Sequence, residues 1–92
     1  MITREQLQRA KILLVDDQRV NLQLLEYLLG ASGYTEVTSL CDSTQVLAMH
    51  RENRYDLIIL DLNMPGMTGF EVMAQLREIE PEHLPVLVVT AD

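Results

Sequence analysis

Positive charge is scarce in this chain. Lysine and arginine number 7 against 14 aspartates and glutamates, which leaves a formal net charge of −7. That balance argues against direct nucleic-acid binding by this segment, which would need a basic patch. Cysteine occurs once, at Cys41, so no internal disulfide forms and a reducing, cytoplasmic setting is expected. Cys41 itself is expected to be a small buried or half-buried residue. Tryptophan is absent and aromatics make up 4% of the residues, so the core must be aliphatic. No apolar run approaches the ~18 residues of a membrane span. The first ten residues carry mixed charges and no apolar run, which is not a signal-peptide pattern. Repeats and low-complexity tracts are missing as well. Against these absences stands 48% hydrophobic content in 92 residues, enough for one small folded domain rather than a disordered segment.

The apolar residues are concentrated in runs that end in acids. Leu57-Ile58-Ile59-Leu60 stops at Asp61, and a Pro65-Gly66 loop follows. Upstream, Lys11-Ile12-Leu13-Leu14-Val15 stops at Asp16-Asp17. Unbroken apolar runs of this length suggest strands buried on both faces, as in a parallel sheet. A buried parallel strand that ends in a carboxylate places it at the carboxyl edge of the sheet, where ligands collect in open α/β folds. Two such strands imply one acidic pocket.

Between the strands the spacing turns helical. Residues 1–10 read as a polar lead-in, with Thr3 and Gln6 at capping-box spacing and room for one or two helical turns. Residues 11–92 form the domain proper. A helix is expected from about Arg19 to Leu29, ended by Gly30 or Gly33. Its apolar positions, Val20, Leu22, Leu24, Leu25, Leu28 and Leu29, cover an arc of roughly 200°. One sheet face needs less, so the outer part of the arc, taken to include Leu22 and Leu29, calls for a second neighbour. Asn21 lies inside the arc, and a local hydrogen bond to the loop is its expected role. Thr35 to Leu40 reads as an edge strand, and Asp42 with Gln45 as a capping box that opens a helix to about Asn53. A third helix spans Gly69 to about Glu80, with Val72, Met73, Leu76 and Ile79 inward; Met64, Met67 and Met73 read as packing. Val86 to Val89 is a further buried strand, ending at Thr90. The alternation βαβαβαβ means a parallel sheet with helices on both faces.

Asp16, Asp17 and Asp61 would meet at adjacent strand ends. Like charges that close repel, and there are two ways to relieve them: one acid takes up a proton, or a hard divalent cation binds. Mg²⁺ favours one or two carboxylates, retained waters and a phosphate oxygen. Asp61 stands at the mouth, where it can serve as ligand and as nucleophile, since carboxylates accept phosphoryl groups to give acyl phosphates. The Asn63 backbone oxygen can supply a further metal ligand, and the Thr90 hydroxyl can donate to a phosphoryl oxygen.

In three segments, ILLVDDQRVNLQLLEYLL, YDLIILDLNMPGMTGFEVM and LPVLVVTAD, the chain strongly resembles the receiver domain of two-component response regulators. The resemblance implies a flavodoxin-like, doubly wound α/β sheet of strand order 2-1-3-4-(5), with the last helix, strand and helix beyond Asp92. It implies that Asp61 is the phosphoacceptor and that Asp16 and Asp17 are magnesium-site acids, Asp17 the direct ligand. Asn63 matches the residue whose backbone oxygen binds Mg²⁺, and Thr90 matches the switch hydroxyl. The implied donor is a histidine kinase or phosphotransfer protein, the recipient of the signal an output domain or effector, and a homodimer one form of assembly. The domain would catalyse only its own phosphorylation and dephosphorylation. The family also carries a lysine after a fifth strand, whereas the single lysine here, Lys11, begins the first strand at the opposite end of the sheet.

Two other readings compete. A magnesium-dependent phosphatase of the haloacid dehalogenase type also uses a strand-terminal Asp, which Asp61-x-Asn63 faintly echoes, but its other acids lie downstream of the nucleophile. A flavodoxin-like cofactor binder would need a phosphate loop after the first strand, and none is present. Because Val86 to Val89 would be a bare apolar edge, the domain is expected to continue past Asp92.

Overall fold

The two apolar runs that end in acids are the two central strands. In the computed structural model, which describes residues 3–62, 64, 66–79 and 85–89, they are β1, Lys11–Val15, and β3, Leu57–Asp61. Ile12 to Val15 are each at most 2% exposed, and Ile58 to Asp61 are all buried. Burial without alternation requires cover on both faces. Three helices supply it: α2 (Arg19–Ala31) on one face, and α3 (Val46–Asn53) and α4 (Gly69–Ile79) on the other; β2 (Glu36–Leu40) and β4 (Val86–Val89) flank the central pair within the sheet, and α1 (Arg4–Gln8) precedes β1. A 3₁₀ turn at Ser43–Gln45 leads into α3. The four strands are parallel in the order β2-β1-β3-β4, the doubly wound arrangement expected.

Alternate residues of each central strand feed opposite cores. Leu13, Val15, Ile58 and Leu60 pack with Val46 of α3 and with Val72 and Leu76 of α4. Ile12, Leu14 and Ile59 pack with Leu22 of α2. The methionines behave as packing: Met64 is buried, and Met67 and Met73 lean on the first cluster. His50, the buried histidine of α3, accepts the Tyr55 N–H on Nδ1 at 3.1 Å as the chain turns into β3.

Local chemistry sets the boundaries. The Thr3–Gln6 capping box is present and opens α1. α2 runs two residues past the expected Leu29. It ends in a Schellman motif in which Gly33, at φ +94°, donates to Gly30 O and Tyr34 donates to Leu29 O. Asp42 caps the 3₁₀ turn, and α3 proper starts only at Val46. The Thr44 hydroxyl and then the Thr44 N–H hold the Asp42 carboxyl below its usual range.

Two expectations need correction. Leu22 is 2% exposed and Leu29 half-buried, because both point at Ile12 and Leu14. The uncovered part of the arc is the other edge, with Val20, Leu24 and Leu28 at 74%, 58% and 50% exposure. Tyr27 extends that edge. Cys41 is exposed rather than buried, since it follows an edge strand that has a neighbour on one side only. No helix among the described residues is long and apolar enough to cross a membrane.

Candidate functional site

Register assembles the site. Val15 pairs with Leu60, so Asp16, the next residue, comes level with Asp61 at the same edge of the sheet. Carboxylate oxygens of Asp16, Asp17 and Asp61 all lie within 4.8 Å of one another. Asp16 and Asp61 are each 7% exposed, whereas Asp17 is exposed.

Asp16 is held on both oxygens. Oδ1 accepts the Gln18 N–H at 2.9 Å, and Oδ2 accepts the Asn21 side-chain N–H at 3.1 Å. Asn21 therefore makes the local bond expected of it, but to the acid itself, which brings it into the site. A cleft of about 170 Å³ opens beside the acids. Asp16, Asn21 and Asp61 give it a polar wall, while Val15, Leu24, Leu25 and Ile59 make the remainder apolar.

The donor set fits Mg²⁺. All three groups are hard oxygen donors. Opposed ligands of an octahedral Mg²⁺ stand about 4.2 Å apart, twice a bond length of about 2.1 Å. A span within 4.8 Å needs little contraction, or one water in place of a direct bond, to meet that geometry. Hydrogen bonds to Asp16 orient it and leave exposed Asp17 the freer ligand.

Asp61 O also lies in a crowded place. A Cβ built on Gly69 would stand 2.7 Å from that oxygen and 2.9 Å from Leu62 Cα. Glycine at 69 thus lets α4 start directly against the end of β3, and the Gly69 N–H donates to Leu62 O at 3.3 Å. Lys11 is at the opposite end of β1 from the acids, its ammonium donating to Asn53 O and its backbone N–H to Asp56 Oδ2. Val89 pairs with Asp61, but Thr90 and Asn63 lie outside the described residues. Sequence reasoning missed the Ser43 hydroxyl, which is buried and donates to Met67 O in the loop after Asp61; a lone serine carries no spacing signal.

Comparison with known proteins agrees with this arrangement. The family model described as the response regulator receiver domain matches residues 12–92. The chemotaxis protein CheY of Pseudomonas aeruginosa is 40% identical over 83 residues, covering 89% of this chain and 67% of that protein. The response regulator PleD of Caulobacter vibrioides is 44% identical over 84 residues, covering 89% of this chain but 18% of its own length. Among solved structures, the chemotaxis response regulator CheY4 of Vibrio cholerae superposes with a TM-score of 0.82 at 38% identity, covering 91% of this chain and 70% of that one. The fold and acidic edge define a signalling receiver. The chain belongs to the response regulator receiver domain family.

Proposed function

We propose that this domain is a phosphorylation-controlled switch in which Asp61 takes a phosphoryl group from a histidine kinase or phosphotransfer protein, with Mg²⁺ at the acidic edge. The observation that carries the reading is the meeting of three carboxylates at adjacent parallel strand ends in a chain of this family.

Asp61 supplies the nucleophile. One carboxylate oxygen attacks phosphorus, the bond from phosphorus to the donor nitrogen breaks, and the donor imidazole leaves with the electron pair. The product is an aspartyl phosphate on the last residue of β3. Asp16 and Asp17 would hold the metal with Asp61, joined by the Asn63 backbone oxygen. Mg²⁺ supplies charge that offsets the negative oxygens of phosphoryl group and carboxylates alike. The Thr90 hydroxyl would donate to a phosphoryl oxygen and transmit the change. The new charge then biases a two-state surface read by an output domain or effector. The phosphatase alternative gains no support from the family match, and among the described residues the acids that meet Asp61 lie upstream of it.

A titration with Mg²⁺ tests the metal assignment. Asp17→Asn removes one charge and one hard ligand, so affinity should fall at least tenfold. Metal-free stability should rise or stay level, because repulsion among the acids is relieved. Equal Mg²⁺ affinity in variant and parent would contradict the proposed centre.

A further inference from the structure

Asn21 interrupts the apolar arc of α2. It is half-buried, between exposed Val20 and buried Leu22, and it lines the cleft with Asp16 and Asp61. Packing alone would favour an aliphatic side chain there, as at Leu24 and Leu25 on the next turn. The amide instead donates to Asp16 Oδ2 at 3.1 Å.

The donor is well anchored. The Asn21 and Leu22 N–H groups both donate to Gln18 O, at 3.1 and 3.3 Å, which closes the first turn of α2. Leu22 fastens that turn to Ile12 and Leu14 of β1. The Gln18 side chain caps nothing, but the Gln18 N–H donates to Asp16 Oδ1 at 2.9 Å. Both oxygens of Asp16 are therefore held by one turn of one helix.

The last torsion of an aspartate is soft, because its planar end has no sharp staggered wells. The Gln18 bond alone would leave the carboxyl free to swing about one oxygen. A second bond, to the other oxygen, sets its plane. Asp16 also shares the sheet edge with Asp17 and Asp61, all within 4.8 Å of one another, and repulsion would turn an untethered carboxylate away from its neighbours.

We propose, on the basis of the receiver reading, that Asn21 is a positioning residue for the metal centre: its amide sets the plane of the Asp16 carboxylate, so that the acidic edge meets Mg²⁺ in a preset arrangement. Mg²⁺ demands near-octahedral geometry, and the hydrogen-bond partners of its carboxylate ligands tune its affinity. Asn21 acts through Asp16 and need touch neither the metal nor the phosphoryl group.

The test is Mg²⁺ calorimetry on the full-length protein, with thermal unfolding of the metal-free protein in parallel, for the parent, Asn21→Ala and Asn21→Leu. Both variants lose the donor. Alanine is smaller than asparagine and leucine larger, so an effect they share belongs to the lost hydrogen bond and not to size. Each should raise the Kd for Mg²⁺ about tenfold, by similar factors even where their Tm values differ. A lowered Tm with a parental Kd would mean an asparagine that serves the fold alone, and would overturn the inference while leaving the receiver reading intact. A Kd raised in only one folded variant would mark a size effect and overturn it too. No Mg²⁺ binding by the parent would overturn both the inference and the reading of the metal centre. Should Asn21→Ala not fold, Asn21→Leu decides alone: a raised Kd supports the inference, and a parental Kd refutes it.

Discussion

Asp16 and Asp17 are neighbours in sequence with different environments. Asp16 is buried and accepts two hydrogen bonds, while Asp17 is exposed. Their positions, like that of Asp61, were legible because an apolar strand that stops at an acid must put it at the sheet edge. The bond from Ser43 was not legible, nor was Asp16 as the acceptor of the local bond expected from Asn21. Each depends on a side-chain direction or a long-range approach that no periodicity encodes. Gly69 is an intermediate case: its place at the start of a helix was visible, the reason for a glycine there was not. Alanine there would push a Cβ against Asp61 O and Leu62 Cα, both backbone, so neither can swing aside. Gly69→Ala should therefore cost about 1–3 kcal/mol in denaturant unfolding and weaken Mg²⁺ binding by displacing the end of β3. An unchanged midpoint would show that the helix start shifts freely.

Among the elements, α2 shows what periodicity can and cannot give. Periodicity gives the apolar arc but does not say which of its edges faces the sheet. That depends on where β1 lies, and β1 takes Leu22 and Leu29 while Val20 and Leu24 stay outside. The two edges should respond differently to truncation. Leu22→Ala removes a buried side chain packed on Ile12 and Leu14 and should cost about 2–5 kcal/mol. Val20→Ala, at a site 74% exposed, should stay within about 0.5 kcal/mol. Matched thermal or urea unfolding of the two variants measures this. Similar losses would mean that the outer edge is covered as well. The helix ends illustrate the same division. Gly33 was one of two candidates for the end of α2, and the bond from Tyr34 to Leu29 O selects it.

At the scale of the whole molecule, strand order does most of the functional work. Placing β1 between β2 and β3 brings two acid-terminated strands side by side, and parallel pairing in register aligns their ends. The alternation of elements made that topology readable, and the family resemblance supplied the order of the strands. The function proposed for this edge rests on Asp61 as phosphoacceptor, and one measurement bears on that most directly. The full-length protein and its Asp61→Asn variant are incubated with acetyl phosphate and Mg²⁺, and acid-stable, base-labile phosphate on the protein is counted. The parent should be labelled. The variant should keep its fold by thermal unfolding and take up no label, because an amide is too poor a nucleophile to form an acyl phosphate. Undiminished labelling of a folded Asp61→Asn variant would contradict the account.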